Sequence, residues 1–140
     1  MKDSVALSIP SHPKYLAVVR DVVERMAGIN GISEKTAWDL KLAVDEACSN
    51  VIKHAYHGDT QQKILIKFKI TPKKFTVVIE DGGTKTDPAS VEGRSLTEIR
   101  PGGLGVHFIK KIFDVFEFDQ KIKSGNRLRL IRHLEGKRGD

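Results

Sequence analysis

Apolar and polar positions along the chain change period several times, and each change marks an element. Val5, Leu7 and Ile9 alternate with polar or small residues, which predicts a short strand ended by Pro10. Ser11 is placed to cap the next helix, and Leu16, Val19, Val23 and Met26 form its apolar stripe. Gly28 and the Asn30-Gly31 pair break that helix. Ser33 then caps a longer one, running from Glu34 to about Tyr56, with Gly58-Asp59 closing it. Ile64, Ile66, Phe68 and Ile70 return to period two, Thr71-Pro72-Lys73-Lys74 turns the chain, and Phe75, Val77 and Ile79 mark the second arm of a hairpin. Asp81 to Gly103 shows little periodicity and reads as a long loop of the functional kind. Leu104, Phe108, Ile109 and Ile112 predict a third helix, and Val115 to Lys121 with Arg127 to His133 predict a closing hairpin across Ser124-Gly125-Asn126. Tightly joined strands beside helices give an α+β fold, a two-layer sandwich with a mixed, mostly antiparallel sheet and helices on one face.

Composition narrows this picture without changing it. At 140 residues the expectation is one domain, residues 1–140, with a frayed tail at 135–140. No apolar run nears the length of a membrane span, and the start lacks the apolar stretch of a secretory signal. Cys48 is the only cysteine, so an intrachain disulfide is excluded and a cytoplasmic setting is expected. The net charge of +6 gathers late, at Lys110, Lys111, Lys121, Lys123, Arg127, Arg129, Arg132, Lys137 and Arg138. No aromatic residues interleave with these cations as a stacking platform, so a solvated basic face is favoured over a nucleic-acid surface.

Three places along the chain offer chemistry. On the long helix, Leu40, Val44, Ala47, Cys48, Val51 and Ala55 share one side, and Glu46, Asn50 and Lys53 fall roughly opposite. Glu46 and Asn50 are neighbours four residues apart, a carboxylate beside a carboxamide, able to act as a base beside a hard-cation ligand. Asp81-Gly82-Gly83 leaves a strand, so that Asp81 can accept from the amino group of a flat ring while the glycines let it approach. Pro101-Gly102-Gly103-Leu104-Gly105 opens a helix, where bare backbone N–H groups cradle phosphate oxygens and Arg100 adds charge. Singly, these read as an exposed polar face, an Asp-Gly turn and a glycine stop. Their order and spacing together carry the signal. His54 and His57 lack a visible third metal ligand, and Cys48 and Trp38 read as packing residues.

A helix with Glu-x-x-x-Asn, a strand ending in Asp-x-Gly and a Gly-x-Gly loop before a helix resembles the GHKL, or Bergerat-fold, ATPase superfamily. The stretch Val44-Asp45-Glu46-Ala47-Cys48-Ser49-Asn50-Val51-Ile52-Lys53-His54-Ala55-Tyr56, with Asp87-Pro88 further on, is similar to the bacterial anti-sigma factor serine kinases. That resemblance covers Val5 to Leu134 and implies an ATP-dependent, Mg²⁺-dependent serine kinase. Its partners would be an anti-sigma factor antagonist as substrate and a sigma factor that it sequesters, and it would form a homodimer with no direct nucleic-acid role. It implies Glu46 as the base, Asn50 as the Mg²⁺ ligand and Asp81 with Gly83 for adenine. Arg100, Gly102, Gly103, Leu104 and Gly105 would surround the phosphates. Lys85 departs from the superfamily's second glycine, and Gly125-Asn126 replaces a Gly-Thr pair that serves a water-mediated adenine contact in related chains. A non-catalytic nucleotide-binding anti-sigma or switch module is the alternative.

Overall fold

The computed structural model describes residues 3–87 and 103–134. Strand β1 (Asp3–Pro10) leads through a 3-10 turn into helix α1 (Leu16–Ile29) and helix α2 (Glu34–Asn50), which continues as a π-helical turn over Val51–Ala55. Strands β2 (Lys63–Ile70) and β3 (Lys74–Asp81) come next, then helix α3 (Gly103–Ile112) and strands β4 (Val115–Phe118) and β5 (Asn126–His133). The sheet order is β1-β2-β3-β5-β4, and all four pairings are antiparallel. The mixed character expected of the sheet is therefore absent from its described pairings. No helix among the described residues is long and apolar enough to cross a membrane.

Period two places Ile64, Ile66, Phe68 and Ile70 of β2 and Phe75, Val77 and Ile79 of β3 on the buried face. They meet Leu16, Val19, Val23 and Met26 of α1 and Leu40, Val44, Ala47 and Cys48 of α2 in one core, which Ile109 and Ile112 of α3 complete. Lys67, Lys69, Lys74 and Arg129 stand exposed on the other face.

Four local expectations are revised. Ser11 does not cap α1: it is buried, its hydroxyl donates to Asp59 O at 2.7 Å and accepts from Gln62 N at 2.9 Å, and both capacities are used there. His12 Nδ1 accepts from Lys14 N instead, at the mouth of the 3-10 turn. Gly28 stays inside α1, which ends at Asn30-Gly31, where Gly31 takes φ +74°. The long helix does reach Tyr56, but its last turn is π rather than α, closed by Tyr56 N to Val51 O and by Gly58 N to Ile52 O. Finally, β4 stops at Phe118, because Asp119 Oδ1 accepts from Lys121 N and turns the chain.

Candidate nucleotide site

Helix α2 points its two polar site residues away from the core stripe at the spacing the pattern requires. Glu46 and Asn50 are both half-buried, while Lys53 is exposed. Burial pushes the Glu46 carboxyl above its ordinary range; Lys53 pulls it back and Asp45 adds to the rise. Asp45 itself turns toward α1, where it pairs with Arg20 at 2.6 Å. The Asn50 Oδ1 atom is buried and, among the described residues, accepts no hydrogen bond. Such an orphaned acceptor costs free energy, about 1–3 kcal/mol, unless something else satisfies it. A hard cation is the kind of partner that oxygen suits, so the donor set fits Mg²⁺ at this point.

Asp81 ends β3 half-buried. Its Oδ1 accepts from Gly83 N at 2.8 Å and from Asn126 Nδ2 at 3.0 Å. Burial raises its carboxyl, and those two hydrogen bonds offset part of the rise. The backbone beside it is pinned by Tyr56, whose hydroxyl accepts from Gly82 N at 2.8 Å and donates to Lys63 O at 2.6 Å. Burial holds the Tyr56 phenol above its usual range, and the charge of Asp81 adds to the rise.

Two glycines are demanded by close backbone approach. A Cβ on Gly83 would stand 2.6 Å from the Ala55 carbonyl carbon, so the loop packs directly on the π turn, and Thr84 N donates to Ala55 O at 2.9 Å. Gly125 has φ +69°, and a Cβ there would overlap Asp81 O and come within 3.0 Å of Gly82 Cα.

Asn50, Asp81, Thr84, Lys85, Thr86 and Asp87 share the walls of a cavity of about 200 Å³ with His54 and with the apolar side chains of Ile79, Val106, Ile109, Phe116, Phe118 and Leu128. That is below the roughly 300–1,000 Å³ of a drug-sized site, and suits a base more than a whole nucleotide. Helix α3 closes it. Gly103, Leu104 and Gly105 form the first turn of α3. A Cβ on Gly105 would come within 2.6 Å of Glu46 Cδ, so the carboxylate lies against the start of that helix. Arg100 and Gly102 lie outside the described residues.

A larger groove of about 870 Å³ runs along β4 and β5, lined among others by Val78, Phe118, Arg127 and Arg129. Its two arginines have partners: Arg127 pairs with Glu80 and Asp119, and Arg129 with Glu117. Elsewhere in the late basic group, Arg132 Nη1 donates to Ile112 O at 3.0 Å and Lys110 lies over the Phe116 ring. Lys137 and Arg138 fall outside the described residues. Arg127, Arg129, Arg132 and Lys110 stitch elements together.

His57 Nε2 pairs with Thr84 Oγ1 at 2.9 Å, and fully buried Cys48 has its thiol pushed up to about 12 by burial and by Asp45. Tyr56, Gly125 and Asn126 are the site residues that the sequence pattern does not single out. Their hints in the sequence are indirect: Tyr56 ends the stretch similar to the serine kinases, and the Gly125-Asn126 pair stands where related chains carry Gly-Thr.

Fold and site together define a nucleotide-binding domain. The profile of the histidine kinase-like ATPase domain matches residues 9–132, and the chain belongs to that family. Within it the chain is similar to serine-protein kinases. It is 26% identical to the serine-protein kinase RsbW of Bacillus velezensis over 99% of this chain and 90% of that protein. It is 32% identical to the protein of the same name from Listeria monocytogenes serovar 1/2a, over 81% of this chain and 78% of that protein. The same fold occurs in the SiaB-SiaC complex from Pseudomonas aeruginosa, with TM-score 0.70 at 12% identity over 91% of this chain and 88% of that one. It occurs also in the histidine kinase domain of a blue-light activated kinase from Erythrobacter litoralis, with TM-score 0.54 at 15% identity over 90% and 62%.

Proposed function

We propose that the protein is an ATP-dependent serine kinase that phosphorylates an anti-sigma factor antagonist and sequesters a sigma factor, acting in the cytoplasm as a homodimer, each chain a single domain. The observation that carries the catalytic part is the convergence of an orphaned acceptor (Asn50 Oδ1) and a half-buried carboxylate (Asp81) on one cavity closed by α3. The family and the kinase relatives support ATP as the phosphoryl donor.

In this reading Asp81 accepts from the adenine amino group, and the packing of Gly83 on Ala55 keeps the loop out of the plane of the base. Gly103, Leu104 and Gly105 offer first-turn amides to the phosphates, with Arg100 and Gly102 completing that loop. Asn50 Oδ1 would hold Mg²⁺, which would supply neutralisation of phosphate charge. Glu46, against the start of α3, takes the proton from the substrate serine as its Oγ attacks the γ-phosphorus. The bond from that phosphorus to the β–γ bridging oxygen breaks, and ADP leaves. A carboxyl raised by burial is better matched to this role at neutral pH than an ordinary glutamate.

The test is transfer of label from γ-labelled ATP to cognate antagonist proteins, with Asp81→Asn as a control. Wild type transfers label to a serine; Asp81→Asn binds ATP more weakly by about 1–3 kcal/mol, since a buried acceptor is mispaired. A wild type that binds ATP but labels no cognate antagonist would instead identify a non-catalytic switch module.

A further inference from the structure

Asn126 is 6% exposed and sits at the first position of β5, register partner of Asp81. Every hydrogen-bonding capacity that faces the loop is used. Its Oδ1 accepts from Thr86 N at 2.7 Å, and because a backbone N–H can only donate, this fixes which way the amide points. The Nδ2 is thereby turned toward Asp81 and Thr84, donating to Asp81 Oδ1 at 3.0 Å and to Thr84 O at 2.9 Å. With both protons spent, Asn126 has none left for a ligand.

Its effect therefore passes through the groups it holds, and of these Asp81 is the one with a charge to present to a ligand. Gly83 N also donates to Asp81 Oδ1, so that oxygen carries two donors. Among the described residues none is shown donating to Oδ2. The two oxygens are made unequal: one is consumed by the protein, the other remains for the cavity. A threonine or serine at position 126 has a single proton and could not serve Asp81 and Thr84 together.

We propose that Asn126 is a positioning residue that fixes the rotation of the Asp81 carboxylate, and so sets the preference of the cavity for a purine bearing an amino group at carbon 6. The assignment rests on the ATP-site reading and deepens it. The carboxylate is a stronger discriminator when it cannot rotate: a 6-amino group donates to Oδ2, whereas a 6-carbonyl meets a fixed lone pair. The same amide ties Thr84 and Thr86, two cavity-lining residues, to the end of the sheet.

The probe is a pair of nucleotides, ATP and ITP, which differ at carbon 6 by amino against carbonyl. Affinities for both are measured by titration calorimetry with wild type, Asn126→Ala and Asn126→Asp, with thermal unfolding checking that each variant is folded. Wild type binds ATP well above ITP. Asn126→Ala loses about ten- to a hundredfold in ATP affinity, the size expected for one hydrogen bond to a charged group, while ITP binding changes little, so the ratio collapses. Asn126→Asp keeps an acceptor for Thr86 N but sets a second carboxylate against Asp81 Oδ1, so the Asp81 carboxylate is disturbed by like charge and ATP affinity falls at least as far as in Asn126→Ala with ITP again little changed, which separates the Asp81 contact from the Thr86 tie. Equal loss of ATP and ITP in both variants, leaving the ratio as in wild type, would show a merely structural residue and overturn the inference alone. A wild type that binds no ATP overturns the site reading and this inference with it.

Discussion

Replacing Gly83 by alanine adds one methyl group at the point where the Asp81 loop touches the π turn. The added carbon would stand 2.6 Å from the Ala55 carbonyl carbon and 2.9 Å from its Cβ, and closer still to the carbonyl oxygen. Non-bonded carbons rest at about 3.5–4.0 Å, so the loop and the turn must part by roughly 1 Å. The obstacle is backbone held by Tyr56 N to Val51 O, with no flexible side chain to give way. Overpacking of this kind costs about 1–3 kcal/mol. Parting the surfaces also breaks Thr84 N to Ala55 O, worth about 0.5–1.5 kcal/mol net. The expected loss is about 2–4 kcal/mol, or a fall in Tm of roughly 8–16 °C for a chain of this size. Gly82 is the internal control: a Cβ there meets only the Tyr56 hydroxyl, at 3.9 Å, which is ordinary contact. Gly82→Ala should stay within about 0.5 kcal/mol of wild type. Thermal unfolding of both variants decides stability. ATP titration should show a loss for Gly83→Ala, whose amide holds Asp81 Oδ1, and little change for Gly82→Ala. If the two variants melt within about 2 °C of each other, the packing argument is wrong.

Asn50→Ala should keep or slightly raise stability, because it removes a buried acceptor without a partner, while the Mg²⁺-dependent part of ATP affinity disappears; titrations with and without magnesium measure this. Glu46→Gln should retain ATP affinity within a few-fold and lose phosphotransfer by about 10²–10⁴, read by label transfer. The same variant should melt higher than wild type at neutral pH. Burial raises the folded-state pKa of Glu46, so its ionised form destabilises the fold above that value, and the difference vanishes as pH falls through the raised value to the ordinary carboxylate range. Cys48, fully buried and with its thiol pushed up to about 12, should not react with a disulfide reagent at pH 8 until denaturant is added.

The element order was legible because each core face repeats cleanly: Ile64, Ile66, Phe68 and Ile70 at period two, Leu40, Val44, Ala47 and Cys48 at helical spacing. Asn50 and Asp81 were legible as well, since a polar residue opposite a helix stripe and a carboxylate before glycines are local signals, and the cavity brings them together. The features that escaped are set by tertiary contact. Ser11 looks like a cap in the sequence, yet the 59–62 loop folds over it and claims its hydroxyl. Asn126 reads as a turn residue, and only strand pairing reveals that it stands opposite Asp81. Gly83 reads as making room for a ring; its observed neighbour is the backbone of Ala55. No periodicity argument anticipates a π turn, because one residue of phase shift at a helix end falls within the ordinary uncertainty of a boundary.

That π turn has a consequence for how the length of the chain can vary. It holds one residue more than an α turn over the same rise, as an insertion in a helix would. Deleting exposed Lys53 would let Val51–Ala55 rewind as one α turn, and because the π turn spends its extra residue within the same rise, the residues after it would keep their phase. Ala55 O would still face Thr84 N, and the Tyr56 hydroxyl Gly82 N and Lys63 O. A one-residue deletion earlier, within the α-helical part of α2, would instead rotate everything beyond it by about 100° and put the floor of the cavity out of phase with its wall. The helix tolerates a change of count at this turn and not before it.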